Sequence, residues 1–376
     1  MNDFLIVGGG VIGMMMARQL ADAGADVTLL ERGHCGQKAS WAGGGIVSPL
    51  YPWRYSEEVT ALAAQSQSSY QPLTQALLDE TGIDPELRSK GLLYLRVADE
   101  ADALAWAEQT QRPLEVVDGA FLYDKEPEVA PGHDRALWMP DLASVRNPRL
   151  CQALRASLIA RSNVRLLEES EVTGLEVDEN SREVLGVRGR QMMFAARRTV
   201  LCNGAWAGEL LNDLGVASGI KPVRGQMIAF KAEPGLLGRV VLMDGRYLIP
   251  RSDGHILAGS TLEYTGFDDR TSEDALDSLK ESAYRLMPKL RDCPVAHHWA
   301  GLRPGSVDGV PWIGAVPGYE NLYINAGHFR NGLVLAPAAT QLLSDQLLGQ
   351  ATQIDPAPYQ PAVRQRALAE TGGSHH

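Results

Sequence analysis

The chain has 376 residues, more than one ordinary core holds and a length suited to two domains sharing an interface. Hydrophobic residues make up 45%, which excludes general disorder and allows a large core. The formal charge of −11 argues against nucleic acid and against a polybasic membrane surface, though not against a small anion held at one local positive site.

Cys35, Cys151, Cys202 and Cys293 are scattered, with no C-x-x-C pair. That suits reduced thiols in a cytoplasm better than a disulfide frame or zinc site. The opening "MNDFLIVGGG" has no signal-peptide pattern, and no apolar run approaches the ~20 residues that span a bilayer. The closing "GGSHH" reads as an appended tag.

The segment "DFLIVGGGVIGMMMARQLADAGADVTLLER" is the most informative. Residues 4–7 predict a buried parallel strand. Gly8, Gly10 and Gly13 then spell G-x-G-x-x-G, a helix follows over 11–23, and Gly24 closes it. A second apolar strand over 27–30 ends at Glu31 and Arg32. Gly8 permits the tight turn, Gly10 lets backbone approach a pyrophosphate, and Gly13 lets helix pack on strand. The helix start, with Val11 and Ile12, offers free N–H groups to phosphates, and Glu31 can accept hydrogen bonds from a ribose diol. NAD and FAD enzymes both carry this unit, so the fingerprint does not choose between them.

In "CGQKASWAGGGIVSP", Ala42, Gly43, Gly44 and Gly45 suggest backbone packed against a flat ring. Ser40 is expected to cap the helix it precedes or to touch a phosphate. Helical spacing over 56–81 stops at Gly82. "GLLYLRVADE" predicts a strand, and 99–110 a short acidic-faced helix. Asn147 and Pro148 read as N-cap and first helical residue. "NVRLLEESEVTGLEVDENSREVLGVRGR" predicts a strand and then a hairpin turning near Asn180 and Ser181. "RRTVLCNGAWAGELLNDLG" predicts a buried strand over 199–202 and a turn, Asn203-Gly204, into a helix. After residue 222 the pattern becomes antiparallel strands around one helix, roughly 272–288. "NLYINAGHFRNGLVLAPAATQLLSDQLLG" returns to strand, turn and helix.

The motifs "IVGGGVIGMMMARQLADAGADVTLLER", "ASWAGGGIVSP", "TVLCNGAWAGEL", "WAGLRPGSVDGVPWIG" and "INAGHFRNGLVLAP" together resemble the D-amino-acid oxidase superfamily of flavoproteins. Within it they are most similar to the glycine oxidases of thiamine biosynthesis. The likeness runs from residue 3 to about 348. The first motif is widely shared; "GLRPG" with "GHFRNG" is far more specific.

The resemblance implies an α/β plus β fold, a Rossmann-like FAD-binding domain (1–84, 141–222 and 300–350). An inserted, mostly antiparallel β substrate domain (85–140 and 223–299) and a tail (351–376) complete it. It implies non-covalent FAD: relatives that tether flavin use a cysteine just before the C-terminal helix, and the last here is Cys293. The implied reaction moves a hydride from substrate Cα to flavin N5 and uses O2 to give H2O2, a 2-oxo acid and ammonia. Glycine would yield glyoxylate, and its imine would supply the thiazole of thiamine. The alternative is a dehydrogenase for D-amino or N-methyl amino acids that passes electrons to a quinone or partner subunit. A cytoplasmic homo-oligomer is expected, with no nucleic-acid or membrane partner.

Such chemistry must fix a carboxylate, aim Cα, and stabilise charge on a reduced ring. Arg303, in "GLRPG", matches the family's carboxylate-binding arginine, and its fork suits two oxygens. Tyr247, in "DGRYLIPR", matches a tyrosine giving a second hydrogen bond; Arg246 should face the other way. Arg330 lies at the turn into the last helix, whose positive end would face the flavin. By the same likeness, backbone from His328, Phe329, Arg330, Asn331, Gly332 and Leu333 contacts flavin, and Val172 contacts adenine. Thr261 and Leu262 would line the substrate cavity. The family often has methionine at Leu262 and histidine at Gly245, so the preference among glycine, sarcosine and small D-amino acids stays open. His328 is expected to be structural rather than a base. His297 and His298 alternate faces on a strand, and no metal is expected.

Overall fold

A computed structural model describes residues 2–178 and 180–370, the last by its backbone alone. Met1, Glu179 and the closing "GGSHH" lie outside the described residues. Two large sheets organise the chain. The first has six strands, in spatial order Trp312–Ala315, Leu322–Ala326, Ala196–Leu201, Asn2–Val7, Val27–Leu30 and Val164–Leu167. All neighbours pair in parallel except Trp312–Ala315, antiparallel at one edge.

The central strands are near-continuous apolar runs because both faces are covered. Met14, Met16 and Leu20 of helix Val11–Asp22 share a core with Leu335, Ala339 and Leu343 of helix Gly332–Leu348. Leu5, Val7 and Leu201 face a second cluster, with Leu211 of helix Ala207–Asp213 and with Val184 and Val187. The hairpin expected around residue 180 joins Val172–Val177 to Val184–Gly189.

The second sheet has eight strands, in order Val295–Gly305, Lys221–Lys231, His255–Gly259, Arg246–Pro250, Val240–Met243, Leu92–Leu95, Arg135–Met139 and Glu115–Asp118. Only Leu92–Leu95 with Val240–Met243 is parallel. Helix Glu273–Leu286 covers one face, burying Leu279, Ala283 and Leu286 against Phe230 and Leu248. The sequence reading omits two strands, Glu115–Asp118 and Arg135–Met139. The first is an edge strand with only Val117 buried, too little apolar alternation to signal itself.

The long helix Glu57–Thr81 ends as expected, with Gly82 at φ 70 donating to Leu78 O at 2.8 Å. One helix start differs. Helix Asn147–Ile159 has Arg146 at its cap position and no side-chain cap. Asn147 is buried and its Nδ2 donates instead to Ser40 O at 3.0 Å. All four cysteines are free; Cys202 is in the core, where burial pushes its thiol up. Among the described residues no helix is long and apolar enough to cross a membrane, and no three His, Cys, Asp or Glu side chains are grouped to hold a metal.

Candidate active site

The ends of both sheets open on one cavity of about 660 Å³, a size ordinary for cofactor and small-ligand sites. At its first end, strand Asn2–Val7 stops at Gly8, with φ 109, a conformation glycine alone adopts freely. A Cβ at Gly8 would stand 2.6 Å from Cys202 O, and one at Gly13 would stand 1.8 Å from Gly8 O. Gly8, Gly10, Val11 and Ile12 line the cavity; Gly13 does not. Gly13 leaves no room for a side chain between helix and loop, the packing role its place in the fingerprint predicts.

Val11 N, the first helical amide, donates to Ser40 Oγ at 2.9 Å. Ser40 lies inside the short helix Ala39–Ala42, so it caps the glycine-loop helix and not the one expected. Glu31 accepts from Gly9 N at 2.8 Å and Gly33 N at 2.9 Å, one to each carboxylate oxygen, and each oxygen keeps accepting capacity. Arg32, Val172, Asn203 and Gly204 complete this end. The Arg32 guanidinium lies 3.7 Å over the Trp206 ring, and Trp206 also stacks on Phe267 at 5.5 Å and 29°.

Ala42, Gly43, Gly44 and Gly45 form the middle of the wall. Across the chain, strand Leu322–Ala326 runs through a 3-10 turn, Phe329–Asn331, into helix Gly332–Leu348. His328, Phe329, Arg330, Asn331, Gly332 and Leu333 all line the cavity. The helix start therefore presents its unpaired amides and positive dipole end there. Phe329 holds φ 48, an uncommon state for a bulky residue and one that clusters at ligand sites.

His328 is buried, and burial pushes its imidazole down to about 3. It is neutral at working pH, which suits a structural role. The unfolded chain takes up this proton near pH 6.5 while the folded protein refuses it until about pH 3. Its share of stability is full above pH 6.5 and is lost as pH falls through that window. Urea midpoints of His328→Asn should therefore drop less than wild type between pH 7 and 4.5; an equal drop would contradict this.

The substrate side is built on the second sheet. Arg303, on Val295–Gly305, lies over Gly225, where a Cβ would stand 2.2 Å from its guanidinium. It donates to Ser260 Oγ at 2.9 Å, Thr261 O at 3.1 Å and Arg224 O at 3.3 Å. All three acceptors are neutral, and among the described residues no carboxylate pairs with it. Glu263, the nearby acid, is held by Arg224 at 2.6 Å. Burial, and then Arg330 beside it, holds Arg303 below the usual arginine range. Arg330 is exposed at the cavity rim and forms no ion pair among the described residues.

Tyr247 is buried, and among the described residues the only hydrogen-bond partner of its hydroxyl is Met227 Sδ at 3.7 Å. Gly259, paired across the sheet from both Met227 and Tyr247, makes room for the ring: a Cβ there would stand 2.8 Å from the hydroxyl. Arg246 faces away, donating to Ser260 O and to Ser278 Oγ at 3.3 Å. Thr261 and Leu262 do not line the cavity. Thr261 Oγ accepts from Gln226 N at 2.8 Å and its hydroxyl donates to Glu263, and Leu262 is 42% exposed.

Among the described residues, five buried polar atoms on the wall lack partners: Asn147 Oδ1, Asn203 Oδ1, Asn325 Oδ1, His328 Nε2 and Asn331 Nδ2. Buried polar groups are rarely left unpaired. Donors and acceptors strung along an elongated, glycine-lined wall fit a large polar heteroaromatic cofactor. The nucleotide loop, this wall and the unpaired arginine define a dinucleotide-dependent oxidoreductase.

The chain belongs to the FAD dependent oxidoreductase family, whose model matches residues 3–346. It is 52% identical to the glycine oxidase of Pseudomonas putida, over 96% of this chain and 99% of that one. It is 30% identical to the bifunctional ThiO/ThiG protein of Trichormus variabilis, over 93% of this chain and 53% of that one. Among solved structures, glycine oxidase from Geobacillus kaustophilus superposes with a TM-score of 0.89 at 31% identity, covering 96% of this chain and 98% of that one.

Sequence reasoning missed Trp206, Met227, Ser260 and Asn147, all on the wall. Trp206 has a signal in "NGAW", two residues past the turn. Asn147 has the pattern of a local cap, yet its partner is 107 positions away.

Proposed function

We propose that the protein oxidises glycine, and also sarcosine and small D-amino acids. For glycine the balance is glycine + O2 + H2O giving glyoxylate, NH3 and H2O2. FAD, when bound, supplies the two-electron acceptor that O2 reoxidises. Arg303 carries the reading: it is a buried guanidinium with donors to spare and no carboxylate of its own. Its fork binds the substrate carboxylate. The Tyr247 hydroxyl, lacking an oxygen or nitrogen partner, gives that carboxylate a second hydrogen bond. Arg330 adds positive potential at the rim. Gly8, Gly10, Val11 and Glu31 would hold the pyrophosphate and ribose, and Val172 would meet the adenine. The start of helix Gly332–Leu348 would face a bound flavin and would favour its more electron-rich reduced form. No general base is needed when the amine binds neutral, and none is assigned to His328.

We also assign the imine to thiamine thiazole synthesis, on the likeness to the ThiO/ThiG proteins. A cytoplasmic location fits the free cysteines; the homo-oligomer and the domain division given above belong to the same proposal. The test is anaerobic flavin bleaching with glycine, sarcosine, D-alanine and D-proline. Bleaching by none of them would sink the proposal, and bleaching without O2 uptake in air would favour the dehydrogenase.

Phe267 and Asp269 reach from the second sheet's loop to Trp206 and to Lys38, the latter at 3.3 Å. This strap should slow cofactor escape. Phe267→Ala is expected to release FAD about threefold to tenfold faster, a loss of roughly 0.5–1.5 kcal/mol of aromatic contact, with turnover at saturating FAD unchanged. Recovery of free-FAD fluorescence on dilution measures it, and an unchanged rate would show that the stack holds nothing.

A further inference from the structure

Arg251 follows strand Arg246–Pro250 and is only 7% exposed. Its guanidinium donates to Gly44 O at 2.9 Å and Val145 O at 3.1 Å. Among the described residues no carboxylate is bonded to it. The nearby acids, Glu86 and Asp253, are taken by Arg146 at 3.2 and 2.8 Å, and Arg146 adds a like charge. A buried cation held by carbonyls alone is costly; burial pulls this one down to about 10, so it remains protonated at neutral pH.

The groups it holds belong to the cavity wall. Gly45 takes φ 80, and its carbonyl accepts from Val145 N at 2.8 Å. Gly44 O, Arg251, Val145 and Gly45 O thus close a small ring of hydrogen bonds behind the glycine loop. The Gly44–Gly45 peptide is trans, so its N–H points opposite to its carbonyl. That carbonyl is turned toward Arg251, which is not a lining residue, while Gly44 and Gly45 are. The Gly45 N–H is therefore turned to the cavity. Gly45 is buried, and no acceptor among the described residues takes this N–H. Buried amides without partners are rare, and the missing acceptor belongs to a ligand.

We propose that Arg251 is a positioning residue for the bound cofactor. Through Gly44 O it aims the Gly45 N–H at the flavin, and it places a positive charge behind that donor. The proposal rests on the FAD reading above. An aimed donor backed by a cation favours the more electron-rich reduced ring. In holoenzyme of Arg251→Met the two-electron reduction potential should fall by about 30 mV, a tenfold change in the equilibrium constant, with an altered flavin absorption band. Arg251→Lys keeps the charge but loses the fork and should fall in between.

Equilibration with a reference dye reads the potential. A FAD-loaded Arg251→Met protein with wild-type potential and spectrum overturns the proposal. If that variant does not fold, Arg251→Lys is read the same way. Wild-type protein also gives a variant-free test. Backbone hydrogen exchange over residues 42–47 should slow at Gly45 when FAD is added to apoprotein, and no slowing there overturns the proposal. Wild type that takes up no FAD would instead sink the FAD reading itself.

Discussion

Arg303→Met is expected to lower kcat/KM for glycine by about 10²- to 10³-fold while FAD content and Tm stay near wild type. That factor corresponds to roughly 2.7–4 kcal/mol, the range expected when one partner of a buried, charge-assisted pair is removed. Stability should hold because no carboxylate among the described residues depends on Arg303. Methionine loses three hydrogen bonds but relieves the desolvation of an unpaired cation. Arg303→Lys should recover little, since an ammonium is a point charge and cannot reproduce the planar fork. Oxygen uptake gives kcat/KM, and perturbation of the flavin spectrum by glycolate reports carboxylate binding. If both matched wild type, Arg303 would have no part in substrate binding.

Gly13→Ala should have the largest effect on the holoprotein, removing FAD and lowering stability together. The new Cβ would stand 1.8 Å from Gly8 O, so helix or loop must move. The helix cannot yield freely, because Met14, Met15, Met16 and Leu20 are all buried. Forcing a methyl group into such packing costs about 1–3 kcal/mol, at times more, and shifts Gly8 and Gly10 on the cavity wall. Gly24→Ala is the control. There φ is 89 with nothing within 4 Å, so it should cost only about 1 kcal/mol of backbone strain and leave FAD in place. The ratio of flavin to protein absorbance and the denaturant midpoint test both. A Gly13→Ala protein with full FAD would contradict the packing argument.

Local chemistry was most legible at the N-terminus. The glycine spacing, the helix that follows and Glu31 all lie within one strand–turn–helix–strand unit, so period and spacing report them directly. Gly82 and the limits of helix Glu57–Thr81 were readable for the same reason. Arg303 and Tyr247 were found only through family likeness, because an arginine or tyrosine on a strand carries no local mark of what it faces. Their setting was not readable at all. Gly225 beneath Arg303 and Gly259 beside Tyr247 are cross-strand neighbours set by register.

The corrections have one cause. Ser40 and Asn147 look like caps of the helices they adjoin, and each instead serves a distant element, Val11 N and Ser40 O. Thr261 and Leu262 sit beside Ser260 in the chain, yet only Ser260 reaches the cavity. Successive residues on extended chain face opposite ways, which turns Thr261 away from the side Ser260 faces, while Leu262 is 42% exposed.

From sequence alone came the nucleotide loop, the two-part architecture and the identity of the arginines, because short-range spacing and side-chain type encode them. Tertiary structure decided which arginine lacks a carboxylate, how closely Gly13 packs on Gly8, and that Arg251 stands behind the glycine wall. Those depend on charges and backbone groups up to about two hundred residues apart, whose desolvation and pairing exist only once both sheets have closed around the cavity.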